Sequence, residues 1–295
     1  MDMGRVVTAM VTPFKDDLTL DLDAAKTLAR HLVASGSDSI VIFGTTGEAP
    51  ALTEDEKIAL LEAVVEAVGT GRVIAGTGSN STQGSIRLSR RAVKSGAGAI
   101  MLVCPYYNKP GQEGMYRHFR AIVDEAGVPA ILYNIPGRTG VNLLPETVAR
   151  LAQVPDIVAI KEASGSLDQV SAIRSLTPRE FRIYSGDDSL TLPILAVGGH
   201  GVVSVASHVT GPRIRRMIDA FVCGDVVAAR DQHLSLLPLF KGLFVATNPI
   251  PVKKALNVLG FRCGPCRPPL EELSPEQERG LQQVLERVGV DGLKP

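Results

Sequence analysis

Through the first two thirds of the chain, short runs of β-branched and aliphatic residues alternate with longer stretches whose apolar positions recur every three or four residues. The short runs read as strands buried on both faces, the signature of a parallel sheet, and the longer stretches read as amphipathic helices. Strands are expected over 5–11, 38–43, 72–75, 99–103, 130–134, 157–161, 181–185 and 201–205. Helical patterns cover 22–35, 53–68, 82–95, 115–126 and 145–153. Gly36, Gly69, Gly96 and Gly127 close four of them, where a residue free to turn left-handed ends a helix. Thr53 followed by Glu56 has the form of a capping box at one helix start.

Eight strand-and-helix alternations predict an α/β protein with a closed (β/α)8 TIM barrel; a doubly wound open sheet is the alternative. From about Asp225 the strand signal stops, and helical patterns over 226–246, 252–258 and 275–288 follow, punctuated by Pro249, Pro251, Pro265, Pro268 and Pro269. The expected organisation is a barrel catalytic domain over 1–224 and a C-terminal helical domain over 225–295, with no flexible linker between them.

Composition narrows the functional classes. The chain has 295 residues, 45% hydrophobic, enough for one large core. Lys plus Arg and Asp plus Glu both number 31, so no net charge attracts nucleic acid or an anionic membrane. The first ten residues do not read as a signal peptide, and no apolar stretch of about 20 residues occurs, so a soluble cytoplasmic protein is expected. Four cysteines are too sparse for a disulfide scaffold. Cys263-Gly264-Pro265-Cys266 spells a thioredoxin-like redox motif, but that chemistry needs the motif to open a helix. Pro268 and Pro269 oppose a helix there, so a plain loop or an incidental disulfide is expected.

In a barrel of this kind, reactive groups stand at the carboxyl ends of the strands. The sixth expected strand ends in Lys161 after the apolar run Ile157-Val158-Ala159-Ile160. Apolar surroundings penalise an ammonium; lowering a lysine pKa from roughly 10.4 by about 3 units, worth about 4 kcal/mol, makes it a Schiff-base nucleophile. The plain alternative is a strand-end side chain reaching into solvent. Gly44-Thr45-Thr46-Gly47-Glu48 follows the second strand and offers hydroxyl donors on a loop that lets backbone approach a ligand. Tyr106, Tyr107 and Tyr133 fall at strand ends, three of only five tyrosines, and Arg138 can clamp a carboxylate. Taken singly, each tyrosine is better read as a ring half in the core. Together with Lys161 they make a catalytic constellation.

Competing motifs are weaker. Gly76-Thr77-Gly78 lacks the third glycine of a dinucleotide fingerprint, with Ser81 in that place, and there is no Walker lysine, Gly-x-Ser-x-Gly elbow or His-Glu-x-x-His pair. Five scattered histidines argue against a histidine-rich metal centre. Asp187 and Asp188 are a weak candidate for a cation.

The segments Gly44–Glu48, Tyr133-Asn134-Ile135-Pro136-Gly137-Arg138-Thr139-Gly140 and Ile160-Lys161-Glu162-Ala163 resemble the pyruvate-dependent class I aldolases and lyases, the dihydrodipicolinate synthase and N-acetylneuraminate lyase family. The similarity extends to Asn248-Pro249-Ile250-Pro251-Val252-Lys253, and Thr45-Thr46 with Gly137–Gly140 is similar to the synthase branch. That resemblance implies condensation of pyruvate with L-aspartate semialdehyde to 4-hydroxy-tetrahydrodipicolinate, in the diaminopimelate route to lysine, without cofactor or metal. It implies that Lys161 forms the imine and that Tyr133, Thr45 and Tyr107 relay protons, with Tyr107 reaching in from a neighbouring subunit. Thr46 would hold the pyruvate carboxylate, Arg138 the semialdehyde carboxylate, and Gly186 and Val203 would line the pocket. A homo-oligomer is implied, usually a tetramer built as a dimer of dimers. Lysine-inhibited members carry a polar effector pocket whose corresponding places here read Ala49, Glu54, Lys57 and Gly84, although Asn80 and Tyr106 remain. A cationic Lys57 there should repel lysine, so weak or absent feedback inhibition is expected.

Overall fold

The eight apolar runs form eight strands: β1 (Val6–Ala9), β2 (Ser39–Ile42), β3 (Val73–Gly76), β4 (Ala99–Val103), β5 (Ala130–Asn134), β6 (Ile157–Glu162), β7 (Arg182–Ser185) and β8 (Gly201–Ser204). The structure, a computed structural model, describes residues 2–290; Met1 and 291–295, at the outer ends of the two expected domains, lie outside the described residues. Each strand pairs in parallel with its sequence neighbours, and β1 pairs with β8, so the sheet closes. Closure settles the architecture as a (β/α)8 barrel and overturns the open-sheet alternative.

β4 and β5 match the runs that announced them, β3 is shifted by one residue and β6 runs one residue further, whereas β1, β2, β7 and β8 are shorter. After Met10 the backbone of β1 leaves the ladder, and the Val11 N–H donates to His208 Nε2 instead of to a neighbouring strand. Val11 stays buried in the apolar layer between sheet and helices.

Around the barrel run α1 (Leu22–Ala34), α2 (Glu54–Val68), α3 (Thr82–Lys94), α4 (Gln112–Ala126), α5 (Pro136–Thr139), α6 (Pro145–Leu151), α7 (Leu167–Leu176), α8 (Thr191–Ala196) and α9 (Ser207–Val222). The capping box at Thr53 and Glu56 is formed in both directions. Two helices were hidden by their own breakers: α5 opens on Pro136-Gly137, and α9 carries Pro212 and a non-helical Thr210. The C-terminal helices are α10 (Val226–Gly242), α11 (Ile250–Val258) and α12 (Pro275–Val288). The first of these stops at Gly242, short of the expected 246, and α11 begins at Ile250 rather than 252.

Inside the barrel, Val7, Val41, Ile74, Met101, Ile131, Ala159, Tyr184 and Val203 fill the interior as a packed core. Outside it, one apolar cluster joins Leu28, Leu61 and Ile214 to Leu236, Phe240, Leu256 and Leu281 of the C-terminal helices. The tail therefore has no core of its own; its buried side chains continue the layer between sheet and helices. Among the described residues no helix is long and apolar enough to cross a membrane.

Candidate active site

Parallel pairing puts Tyr133 of β5 directly beside Lys161 of β6, both at the carboxyl ends of their strands. Lys161 is 6% exposed and Tyr133 4%. The amine Nζ sits 4.1 Å from the Tyr133 ring centroid, over its electron-rich face.

The neighbouring Glu162 is also buried, yet it does not turn to Lys161. Its carboxylate accepts from the Ser164 N–H (2.7 Å), Asn134 Nδ2 (3.0 Å) and Gln169 Nε2 (3.0 Å). Neutral donors thus satisfy the buried carboxylate, and among the described residues the Lys161 amine has no carboxylate to hold it. Room for the lysine stem comes from β7. A Cβ on Gly186 would lie 2.6 Å from the Ala163 Cβ and 3.2 Å from Lys161 Cε, so any larger residue would press on the lysine.

The loop after β2 is bent at both ends by residues other than glycine: Phe43 at φ 52° and Glu48 at φ 55°. Backbone held in that region costs about 1–3 kcal/mol per residue and collects at sites where it serves a function. The loop is closed by hydrogen bonds from Gly47 N to Gly44 O (3.1 Å) and from Glu48 N to Thr45 O (3.1 Å), and by the Thr12 hydroxyl donating to Gly47 O (2.6 Å). Thr46 is 3% exposed, and its Oγ1 accepts from Asn248 Nδ2 at 2.9 Å. Glu48 is paired with Lys253 of α11 at 2.9 Å and also accepts the Arg267 N–H.

A cavity of about 700 Å³ opens at this end of the barrel, lined by Thr45, Tyr106, Tyr133 and Arg138 among others. Arg138, in the single turn of α5, is exposed at its edge. Val203 is buried in the same interior cluster as Tyr133. Of the eight residues singled out from the sequence, Thr45, Tyr133 and Arg138 line this cavity, whereas Lys161, Thr46, Gly186 and Val203 are not among its lining residues; Tyr107 stands on the surface, 89% exposed with its backbone left-handed at φ 74°.

The competing chemistries lose their geometry. Asp187 accepts from the Ser189 N–H and hydroxyl, and buried Asp188 accepts from the Val205 and Ala206 N–H groups and the Ser204 hydroxyl. Both carboxylates cap backbone. Cys263 and Cys266 lie in irregular chain as free thiols, and burial pushes both up to about 12, far from a reactive thiolate. Gly76 and Gly78 serve packing, since a Cβ at either would come within 2.6 Å and 2.4 Å of neighbouring backbone.

Asn248, Glu48 and Lys253 were visible in the sequence only as parts of motifs without a role. Their partners are more than 200 residues away along the chain, and no local pattern reports such a pairing.

Residues 2–288 match the model of the dihydrodipicolinate synthetase family. The chain is similar to the 4-hydroxy-tetrahydrodipicolinate synthase of Desulforudis audaxviator, at 56% identity over 97% of each chain. It is also similar to that of Thermosynechococcus vestitus, at 57% identity over 98% of each. Among solved structures, dihydrodipicolinate synthase from Cyanidioschyzon merolae with lysine bound superposes with a TM-score of 0.96, at 49% identity, covering 98% of this chain and 99% of that one. A closed barrel with a buried lysine against a tyrosine ring, and likeness over nearly its whole length, place this chain in the dihydrodipicolinate synthetase family.

Proposed function

We propose that Lys161 is the Schiff-base nucleophile with which this enzyme condenses pyruvate and L-aspartate semialdehyde to 4-hydroxy-tetrahydrodipicolinate, on the diaminopimelate route to lysine. The observation that carries the assignment is the buried Lys161 amine, set against the ring of Tyr133 and without a carboxylate partner among the described residues. Nζ attacks the keto carbon of pyruvate and water leaves, forming a protonated imine. Loss of a methyl proton gives the enamine, whose carbon attacks the semialdehyde carbonyl. The amino group of the new chain then attacks the imine carbon, closing the ring and releasing Lys161. The protonated imine is the electron sink, so the chemistry asks for no cofactor.

Tyr133 is the group best placed to move protons at the imine, and Thr45, on the same cavity, links it outward. Thr46 holds the pyruvate carboxylate, and Gly186 and Val203 shape the wall beside it. Arg138 at the rim takes the semialdehyde carboxylate, a task its planar fork fits better than an ammonium would. The barrel residues carry this chemistry, and the helical segment after residue 224 supports it.

The exposed Tyr107 supports a homo-oligomeric reading, a tetramer of two dimers in which each Tyr107 completes a neighbour's relay. A large aromatic side chain held in water on a left-handed backbone is costly unless something uses it. A cytoplasmic location belongs to the same reading. Weak feedback by lysine does too. Lys57 lines the cavity, and burial already lowers its pKa, with Glu54 opposing, so a second ammonium beside it is unfavourable.

The acceptor is tested by supplying pyruvate with L-aspartate semialdehyde or with sugar aldehydes. Turnover with the semialdehyde alone supports the assignment; preference for a sugar aldehyde contradicts it and the role given to Arg138.

A further inference from the structure

We infer that Asn248 is a positioning residue for the pyruvate site: from the C-terminal segment, it orients the hydroxyl of Thr46 so that the hydroxyl proton points to the substrate carboxylate. The inference rests on the role proposed above for Thr46. A threonine hydroxyl has one proton to give and lone pairs to accept with. Asn248 Nδ2 donates to Thr46 Oγ1 at 2.9 Å, which occupies a lone pair. Among the described residues nothing accepts the Thr46 proton, so it remains for a ligand.

The amide is committed to this one contact. Asn248 is 7% exposed, and its Oδ1 is buried without a donor among the described residues. Half of the hydrogen-bonding capacity of a buried carboxamide is thus unmet by protein, and what the protein does receive from the residue is the bond to Thr46. A side chain serving only to fill space here would be apolar.

Asn248 can act as a fixed donor because the two segments are pinned twice. Five residues further on, Lys253 donates to Glu48 at 2.9 Å and to the Pro265 carbonyl at 2.7 Å, and the Glu48 carboxylate also accepts the Arg267 N–H at 2.8 Å. Thr46 and Glu48 sit two residues apart on the strained loop; Asn248 lies two residues before α11 and Lys253 in its first turn. The loop assigned to pyruvate is therefore held from outside the barrel, and the C-terminal segment supports the binding site from behind.

The chemistry separates positioning from mere structure. Removing the Nδ2 donor frees the Thr46 hydroxyl to rotate and weakens carboxylate binding, whereas the Lys161 amine is untouched. Half-saturation of imine formation should rise about tenfold, a loss on the scale of one hydrogen bond to a charged group, with less change in the turnover of the saturated enzyme. An acid in place of the amide should bind pyruvate more weakly still, because its charge opposes the carboxylate.

The experiment is borohydride trapping of pyruvate as a function of pyruvate concentration, read by intact mass, on the unaltered enzyme, Asn248→Ala, Asn248→Asp, Thr46→Val and the double variant Asn248→Ala with Thr46→Val. Asn248→Asp is nearly isosteric and covers the case in which the alanine variant folds poorly. The expected result is a rise in half-saturation for each single variant and no further rise in the double variant, since the amide acts only through the hydroxyl. Multiplicative losses in the double variant, or unchanged half-saturation in Asn248→Asp, would overturn the inference. Failure of the unaltered enzyme to take the label would instead overturn the Schiff-base reading on which it rests.

Discussion

Lys253 and Glu48 lie 205 residues apart in the chain and form an ion pair of 2.9 Å whose side chains are 2% and 1% exposed. The pair joins the start of α11 to the loop after β2, and the ammonium also lies 4.4 Å from the Phe14 ring centroid. Desolvating both charges makes the pair weak evidence for stability in itself, but removing one partner strands the other. Lys253→Met should therefore cost about 3–5 kcal/mol in denaturant unfolding. Lys253→Met combined with Glu48→Leu should be less destabilised than the single variant, because no buried charge remains. Equal or larger loss in the double variant would show that the pair contributes mainly attraction.

Stability should fall in acid over two pH ranges. Burial lowers His118, His200 and His208 from 6.5 to about 4, so each stays neutral in the folded protein while its unfolded counterpart takes up a proton. A depressed folded value means that the stability contribution is complete above about 6.5 and is lost as pH falls toward 4. Glu56, held at about 2 by Arg267 against an ordinary 4.5, follows the same sign: its contribution is complete above 4.5 and disappears as pH falls toward 2. Unfolding at pH 5 should take up about two to three protons, and Glu56→Gln should flatten the stability profile only below about 4.5. A profile level between pH 6.5 and 4 would contradict the fall over the upper range.

Tyr133→Phe keeps the ring against Lys161 and removes the phenol. Imine trapping with pyruvate should persist while turnover falls by about 10²–10⁴, the range of a lost general acid–base group. Arg138→Lys should raise the KM for the semialdehyde and leave that for pyruvate near its original value, since the guanidinium meets only the second substrate. Steady-state kinetics with each substrate varied in turn distinguishes the two effects.

Free lysine should inhibit weakly. Lys57 lines the cavity at the place where the expected effector pocket of lysine-inhibited members is polar, and its own charge is already disfavoured by burial. Half-inhibition at about 1 mM lysine or below would contradict this. The comparison is sharp because the similar Cyanidioschyzon merolae enzyme was solved with lysine bound.

The barrel was legible in the sequence because each strand announced itself as a local event: an apolar run, bounded by a glycine-rich or polar turn, at a spacing that leaves room for one helix. Lys161 was legible for the same reason, as a cation ending four apolar residues. Where a local signal contradicted the outcome, the reading failed: Pro136-Gly137 looks like a turn and opens α5, and Pro212 conceals the course of α9. The support of the site was not legible. Asn248 on Thr46 and Lys253 on Glu48 are contacts across more than 200 residues, created by the docking of the C-terminal helices. Nothing local could assign a role to Tyr107, which in a single chain is 89% exposed.

The central claim, that Lys161 is the nucleophile, is tested most directly by adding pyruvate and borohydride to the native protein and to Lys161→Ala and measuring intact mass. The account predicts one reduced pyruvyl group on each native chain and none on the alanine variant. An unlabelled native protein, or equal labelling of both, would contradict it and return the buried lysine to a structural role.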